Sequence, residues 1–325
     1  MSITIFRASG PLHSREVALR LVGRFVLSFL LLPFLAVEPA VAAPRGNYAD
    51  APDRLSWFLV VADTHIGQDF SGGSKDTDRL KWITGGAFQL VNPTRLINLG
   101  DLVDGTDGGL MPKPPQHDSE WSSYRDIVDS RGMTPANYID LPGNHDSYWE
   151  KGHDHWLAHS VQGRMDGQLQ HSQVVDTAGG RVHLLAADTT GQDGAAWPID
   201  NADLSDAERA FLAAALEANP DVDLTIALGH HPLDKVGHSS QFLDLLGDHD
   251  VIAYLYGHTH DSAMSWQDGI LHTNVASLAK SGDDNVAVVA VDDGSLAMRL
   301  FEVAKWPWVL TTAPADTTLG GDNPY

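Results

Sequence analysis

The 325-residue chain carries 43 acidic residues against 21 basic ones, a formal charge of −22, and no cysteine. The acidic balance argues against binding to nucleic acid or to an anionic membrane surface, because both depend on clusters of Lys and Arg. Without cysteine, disulfide scaffolds, thiol catalysis, zinc fingers and iron–sulfur clusters are excluded, so any metal must be held by His, carboxylate or amide oxygen.

The N-terminal part of the chain has the pattern of an export signal. Several arginines precede an apolar run over 25–37, and Ala40-Val41-Ala42 follows it. A basic start, a short apolar run and an A-x-A site are the parts of a secretory signal peptide. We therefore predict a signal peptide at 1–42 and an exported protein, periplasmic or secreted. The apolar run is shorter than the ~20 residues of a membrane span, and an uncleaved membrane anchor is the alternative.

After a linker at 43–54, apolar runs alternate with helical patterns, which predicts an α/β domain over 55–303 and an irregular tail over 304–325. In chain order we predict a strand at 56–62, a helix at 76–91, a strand at 95–99, a helix at 119–130, strands at 138–141, 173–176 and 182–186, a helix at 205–219, strands at 224–228 and 251–256, and β segments between 270 and 303. Ser205 is the predicted N-cap of its helix, with Glu208 three residues later.

Five of the predicted strands end in residues that can bind a metal. The sequences at these ends are Asp63-Thr64-His65, Gly100-Asp101-Leu102-Val103-Asp104, Gly143-Asn144-His145-Asp146, Gly229-His230-His231-Pro232 and Gly257-His258-Thr259-His260. Ligand sites of open α/β sheets lie beyond the carboxyl ends of the strands, so these side chains are predicted to converge on one rim. The mixture of imidazole and carboxylate suits Zn, Fe, Mn or Mg. The glycines before the candidate ligands are interpreted as residues that permit sharp turns.

The order D-x-H, G-D-x-x-D, G-N-H-D, G-H-H-P and G-H-x-H over 57–260 resembles the calcineurin-like metallophosphoesterases. The resemblance implies an α/β fold of four layers, an αββα sandwich with helices outside two sheets. It also implies two divalent ions, the first bound by Asp63, His65 and His260, the second by Asn144, His230 and His258, with Asp101 bridging them. His145 would then contact the phosphate and protonate the leaving group, oriented by Asp104, and Asn144 with His145 would bind substrate.

A narrower resemblance is to the branch of this family that contains transmembrane protein 62. It rests on the segment Gln116-His117-Asp118-Ser119-Glu120-Trp121, on the G-N-H-D block and on the sequence at 305–310. Two departures from other branches narrow the function. Asp104 stands where purple acid phosphatases carry a tyrosine, and Gly105 follows it where protein Ser/Thr phosphatases carry arginine, so a tyrosinate-bound ferric ion and protein phosphatase activity are both disfavoured.

The sequence thus predicts a dinuclear-metal phosphoesterase that hydrolyses small-molecule phosphate mono- or diesters by attack of metal-bound hydroxide. A catalytically silent metal-binding or interaction module of the same fold is the alternative, and the presence of all seven implied ligands disfavours it. An enzyme of this fold acting on nucleic acid would need a basic surface that the composition does not provide.

For the other polar residues near these motifs we predict roles outside the set of metal ligands. His231 is interpreted as a neighbour of the site rather than a ligand. His153, His155 and His159 are interpreted as members of a solvated loop. Glu120 is assigned to a surface, structural or substrate-loop role without preference between them.

Overall fold

Two mixed sheets form the centre of the computed structural model, which describes residues 2–4, 55–67, 75–107, 111–191, 201–279, 284–292 and 294–306. The first sheet contains, in spatial order, β1 (Ser2–Thr4), β12 (Ser295–Glu302), β11 (Asn285–Asp292), β2 (Ser56–Val61), β3 (Arg95–Asn98) and β4 (Tyr138–Asp140). The second contains β5 (His171–Thr177), β6 (Gly180–Ala186), β7 (Leu224–Leu228), β8 (Ala253–Tyr256), β10 (Ile270–Asn274) and β9 (Ala263–Gln267).

Helices connect the strands and cover the outer faces of both sheets. They are α1 (Lys75–Trp82), which continues through a π-helical turn (Ile83–Ala87) into α2 (Phe88–Val91), then α3 (Asp118–Ser130), α4 (Asn144–Ser147), α5 (Asp154–His159), α6 (Gly163–Asp166), α7 (Asp206–Glu217) and α8 (Ser239–Asp248). Short 3₁₀ turns lie at Leu233–Lys235 and Val303–Lys305. The predicted cap of α7 is confirmed, since the Glu208 backbone N–H donates to Ser205 Oγ over 3.1 Å.

The core divides into three apolar layers that follow from the alternation of side chains along each strand. Phe58 and Val60 of β2 pack between the two sheets, whereas Leu59 and Val61 pack outward under helices. Helices α1, α3 and α5 cover the first sheet, and α7 and α8 cover the second with a layer that includes Phe242. The predicted α/β fold of four layers, helix–sheet–sheet–helix, is thereby confirmed.

The strands that carry the candidate metal-binding motifs run parallel to one another within each sheet. In the first sheet β2 pairs with β3 and β3 with β4, all in parallel, and in the second sheet β6, β7, β8 and β10 pair in parallel. The ends of the first three lie level, because Val61 pairs with Asn98 and Asn98 pairs with Asp140. The carboxyl ends of β2, β3, β4, β7 and β8 therefore deliver their following residues to one rim.

Parts of the predicted organisation lie outside the described residues. These are residues 5–54, with most of the predicted signal peptide and the linker, and residues 307–325 of the predicted tail, so those assignments stay predictions. Trp306 is described and packs edge-on against Trp82, with ring centroids 5.2 Å apart. Within the described part of the chain, no helix combines the length and the apolar character needed to cross a bilayer.

Candidate metal centre

The backbone at the strand ends adopts a conformation that few residue types accept. The candidate ligands with a positive φ are Asp63 (54°), His65 (44°), Asp101 (52°), His258 (71°) and His260 (61°). This left-handed region is uncommon outside glycine, although Asp, Asn and His enter it more readily than other residues. Such conformations persist where the surrounding structure imposes them, and they concentrate at functional sites.

The glycines next to these ligands serve two different purposes. Gly100 has a φ of +106°, so the predicted need for a sharp turn is confirmed there. Gly143 does not lie in the left-handed region, but a Cβ on it would come within 2.3 Å of Asp101 N and Asp101 Oδ1. At Gly143 the requirement is therefore close approach of two loops rather than a special φ, which corrects the sequence interpretation.

One group of donor atoms gathers around the end of β2. His260 Nε2 lies 3.2 Å from His65 Nε2 and 3.3 Å from Asp63 Oδ1. His65 Nε2 also lies 3.7 Å from Asp63 Oδ1 and 3.6 Å from Asp101 Oδ2. Asp63, His65 and Asp101 are almost fully buried, whereas the His260 side chain is 25% exposed, so this group opens to solvent at His260.

A second group of donor atoms shares Asp101 with the first. Asn144 Oδ1 lies 3.0 Å from His230 Nε2 and 2.9 Å from His258 Nδ1, and His230 Nε2 lies 3.3 Å from Asp101 Oδ2. His231 joins this neighbourhood, since one ligand atom each of His230, His231 and His258 lies within 4.8 Å of the others. All seven predicted ligands thus occur in two adjoining groups with Asp101 between them.

Contacts on the far side of three ligands direct their lone pairs into the site. His65 Nδ1 lies 2.9 Å from Asp104 Oδ1, and His230 Nδ1 donates to the Leu99 carbonyl oxygen over 2.9 Å. The His230 contact places a ring N–H on Nδ1, so that in a metal-bound state the Nε2 lone pair of this ring would face the cluster. Asn144 Nδ2 donates to Tyr148 Oη over 2.8 Å, and this turns Asn144 Oδ1 toward the histidines.

The pKa values of the buried carboxyl and imidazole groups show that the donor atoms need positive charge between them. Burial raises the pKa of Asp63, but contacts with His260 and His65 outweigh it and hold that pKa well below its usual range. The same holds for the pKa of Asp101, where the neighbouring His230 outweighs burial. Burial lowers the pKa of His230, but Asp101 outweighs it and raises that pKa to about 10. Lone pairs packed this closely are stable only with a cation or a proton between them, so the residues fit divalent metal ions.

His145 and Asp104 lie beside the first group, in an arrangement that differs from the expected one. His145 Nδ1 donates to the backbone oxygen of Asp104 over 2.8 Å, whereas its distance to Asp104 Oδ1 is 3.7 Å. The carboxylate of Asp104 is closer to His65 Nδ1, at 2.9 Å. The backbone N–H of His145 donates to Asp101 Oδ1 over 2.8 Å. Asp104 therefore orients His145 through its carbonyl oxygen and His65 through its carboxylate.

Two residues that hold the site together were not singled out from the sequence. Asp146, fully buried, accepts backbone N–H bonds from Leu102, Val103 and Gly143 over 2.8–3.0 Å. Its carboxylate links the loop after β3 to the loop after β4. In the sequence, its position as the last residue of G-N-H-D could have identified it. Thr189 Oγ1 accepts from the backbone N–H groups of His230 and His231, each over 3.2 Å. No comparable sequence motif marks Thr189.

The histidines assigned to a solvated loop have different surroundings. His153 is fully buried and its Nε2 lies 2.7 Å from Thr190 Oγ1, so the solvated-loop interpretation is wrong for it. His155 Nε2 lies 2.9 Å from Asp118 Oδ1, and His155 also contacts Glu150. His231 was interpreted separately, as a neighbour of the site. Its Nδ1 lies 2.8 Å from Thr189 Oγ1, which agrees with a structural role beside the candidate ligands.

Comparison with known proteins agrees with this geometry. The sequence profile of the calcineurin-like phosphoesterases matches residues 56–262. An Arabidopsis thaliana protein named as a metallophosphoesterase is 26% identical over 271 residues, which cover 77% of this chain and 36% of that protein. Transmembrane protein 62 of Mus musculus is 25% identical over 291 residues, which cover 83% of this chain and 44% of that protein. The chain thus spans less than half the length of these two relatives.

A solved structure shares the fold at low sequence identity. GAP50 of Plasmodium, described as the anchor in the inner membrane complex, aligns with a TM-score of 0.54 and 14% identity, over 79% of this chain and 87% of that one. The profile match spans well over half of the chain and includes all seven residues of the two donor groups. The chain therefore belongs to the calcineurin-like phosphoesterase family.

Proposed function

We propose that this protein is a two-metal phosphoesterase that cleaves small-molecule phosphate mono- or diesters. The proposal is supported above all by the position of Asp101 Oδ2, which lies 3.6 Å from His65 Nε2 and 3.3 Å from His230 Nε2. A carboxylate shared by two donor groups can bridge two ions. In this proposal one ion is bound by Asp63, His65 and His260, the other by Asn144, His230 and His258, and Mn, Zn, Fe and Mg all suit these ligands.

Two divalent ions held there would neutralise the phosphoryl oxygens and activate a water for in-line attack at phosphorus. The residues of the chain supply the rest. His145 Nδ1 donates to the Asp104 carbonyl oxygen over 2.8 Å, so this proposal assigns the substrate contact to Nε2. Protonated at Nε2, His145 would contact the phosphate and give its proton to the departing oxygen, as a general acid. Asn144 lies next to it and would share the substrate contact.

The substrate class follows from charge. With 43 acidic against 21 basic residues, the surface repels extended polyanions, so small phosphate esters are favoured over nucleic acid. The Arabidopsis thaliana relative is named as a metallophosphoesterase, which agrees with hydrolysis of phosphate esters as the reaction. We further propose, from the N-terminal signal pattern, that the protein acts after export, either free or anchored to a membrane.

The test is a panel of phosphomonoesters and phosphodiesters, assayed on metal-free protein and after loading with Mn, Zn, Fe or Mg in turn. We expect hydrolysis that depends on added metal, with two ions bound per chain by elemental analysis. Two bound ions without hydrolysis of any ester would favour the silent binding module. Absence of bound metal after loading would refute both functions.

The second step of the test separates His145 from the ligands. His145→Ala is expected to keep its metal content and to lose turnover strongly on an ester with a poor leaving group. The matched control is His238→Ala, because His238 belongs to neither donor group and its half-exposed side chain contacts Asp203. Equal turnover of His145→Ala and wild type on the poor leaving group would remove His145 from the acid role.

A further inference from the structure

The segment from Gln116 to Trp121 supplies no metal ligand, although it carries part of the narrower family resemblance. Gln116 and Glu120 are nevertheless buried, at 4% and 3% exposure. Burial of an amide or a carboxyl group costs free energy unless its polar atoms are hydrogen-bonded. The partners of these two side chains therefore indicate what the segment does.

Gln116 is bonded to the turn that carries His145. Gln116 Nε2 donates to the backbone oxygens of His145, over 2.8 Å, and Tyr148, over 3.1 Å. Gln116 Oε1 accepts from Trp121 Nε1 over 2.9 Å, which fixes the orientation of the amide. Helix α4, which begins at Asn144, is a single turn with few internal bonds, so external partners for its carbonyl groups hold its position.

Glu120 is bonded to the loop that follows Asp104. Its Oε2 accepts the backbone N–H of Gly105 over 2.7 Å, and its Oε1 accepts those of Thr106, over 3.0 Å, and Asp107, over 2.5 Å. The carboxyl group also lies against the segment after His65, since a Cβ on Gly67 would come within 2.1 Å of Glu120 Oε1. One side chain thus fixes the backbone directly after Asp104.

The two contacts converge on a single hydrogen bond of the site. Gln116 holds the backbone that carries His145, and Glu120 holds the backbone that carries the Asp104 carbonyl oxygen, which accepts from His145 Nδ1 over 2.8 Å. We propose that Gln116 and Glu120 are positioning residues for the proton transfer by His145, an inference that rests on the proposed function. Displacement of a reacting group by about 1 Å can reduce turnover about 100-fold, so a device of this kind has a measurable effect.

The experiment compares Gln116→Met and Glu120→Gln with matched controls in the metal-loaded full chain. Gln162→Met is the control for the first, because Gln162 is also a buried glutamine that donates to a backbone oxygen, that of Tyr138, over 2.9 Å. Asp126→Asn is the control for the second, since Asp126 is an exposed carboxylate on the same helix α3. Gln116→Glu and Glu120→Asp are the second variants if either of the first fails to fold.

The readouts are kcat and KM on an alkyl phosphate and an activated aryl phosphate, together with bound metal. Positioning of a general acid predicts that kcat on the alkyl phosphate falls by about 10- to 100-fold and that kcat on the aryl phosphate falls by less than about threefold. KM and metal content should stay near wild type, and both controls should match wild type. In Glu120→Gln, amide hydrogen exchange at Gly105, Thr106 and Asp107 should accelerate.

The following outcomes would overturn the inference in whole or in part, and they are distinguishable. Equal losses on both substrates, or a loss in Gln162→Met as large as in Gln116→Met, would show a general structural role while the phosphoesterase function stands. A wild-type protein that is inactive on both esters would remove the proposed function and this inference with it. Unchanged amide exchange at 105–107 in Glu120→Gln would remove the assignment of Glu120.

Discussion

Glu208 provides a test of the electrostatics outside the metal centre. It lies in the first turn of α7, 5% exposed, and its Oε1 accepts the backbone N–H of Asp188 over 2.9 Å. Burial, and after it the nearby charge of Asp188, raises the pKa of Glu208 from 4.5 to about 8. The folded protein therefore keeps a proton on this carboxyl group at neutral pH, where the unfolded chain releases it.

The sign of the pH dependence follows from this difference. Between pH 4.5 and about 8 the folded state binds more protons than the unfolded state, so the free energy of unfolding falls as pH rises through this window. The full pKa difference corresponds to roughly 5 kcal/mol at 1.36 kcal/mol per pH unit. Water entering upon ionisation stabilises the carboxylate, so we expect roughly 2–3 kcal/mol.

The assay is urea unfolding of wild type and Glu208→Gln at pH 5 and pH 9, with the metal concentration held fixed. Because metal affinity also changes with pH, the informative quantity is the difference between the two proteins at each pH. Glu208→Gln should gain roughly 2–3 kcal/mol relative to wild type between the two pH values. Glu217→Gln, on the exposed face of the same helix, should follow wild type throughout. If the free energy of unfolding changes equally between pH 5 and pH 9 for wild type and Glu208→Gln, the assignment of a protonated, buried carboxyl group is refuted.

Three further predictions address the metal centre. Asp101→Asn removes the charge of the shared ligand, so metal affinity should fall by at least about 10- to 100-fold in a metal titration, and unchanged affinity would contradict a bridging role. Chelation should lower the melting temperature, because an ion present at 100 times its Kd stabilises the folded state by about 2.7 kcal/mol; equal melting with and without chelator would contradict metal binding. Gly143→Ala should destabilise the fold by about 1–3 kcal/mol, because its Cβ would meet Asp101. Gly247→Ala, with open space at its Cβ position, should be at least as stable as wild type in the same urea unfolding, and equal effects of the two substitutions would remove the steric explanation.

The sequence predicts those elements whose local pattern agrees with their environment. Strand β7 begins and ends where its apolar run does, and α7 follows its cap at Ser205. Helix α8 was missed because it starts after His238, which has a left-handed backbone and no capping side-chain bond. Helices α4, α5 and α6 have only four to six residues each, too few for a helical period to be recognised. Strand β9 is mostly exposed and therefore lacks an apolar face.

The candidate site likewise contains features that the sequence predicts and features that it does not. The gathering of the candidate ligands was predictable because each follows a buried strand directly, and parallel strands deliver their ends to one edge. Three other contacts could not be predicted: Gln116 with His145, Glu120 with Gly105, and Asp104 with His65. They join residues that lie 29, 15 and 39 positions apart in the sequence, and no repeating pattern marks them. A buried polar residue is indistinguishable from an exposed one in sequence until its partner is known.

The candidate metal centre also joins the two sheets. His230, after β7 of the second sheet, donates to the carbonyl oxygen of Leu99, after β3 of the first, and the Gly257 N–H donates to the His230 oxygen. The backbone N–H of His258, after β8, donates to Asp63 Oδ2 over 3.0 Å, which links the second sheet to the end of β2. Each donor group therefore contains residues from both sheets. The apolar core between the sheets fixes their separation, and none of the candidate ligands belongs to that core. Packing that is independent of the ligands therefore holds their donor atoms close together.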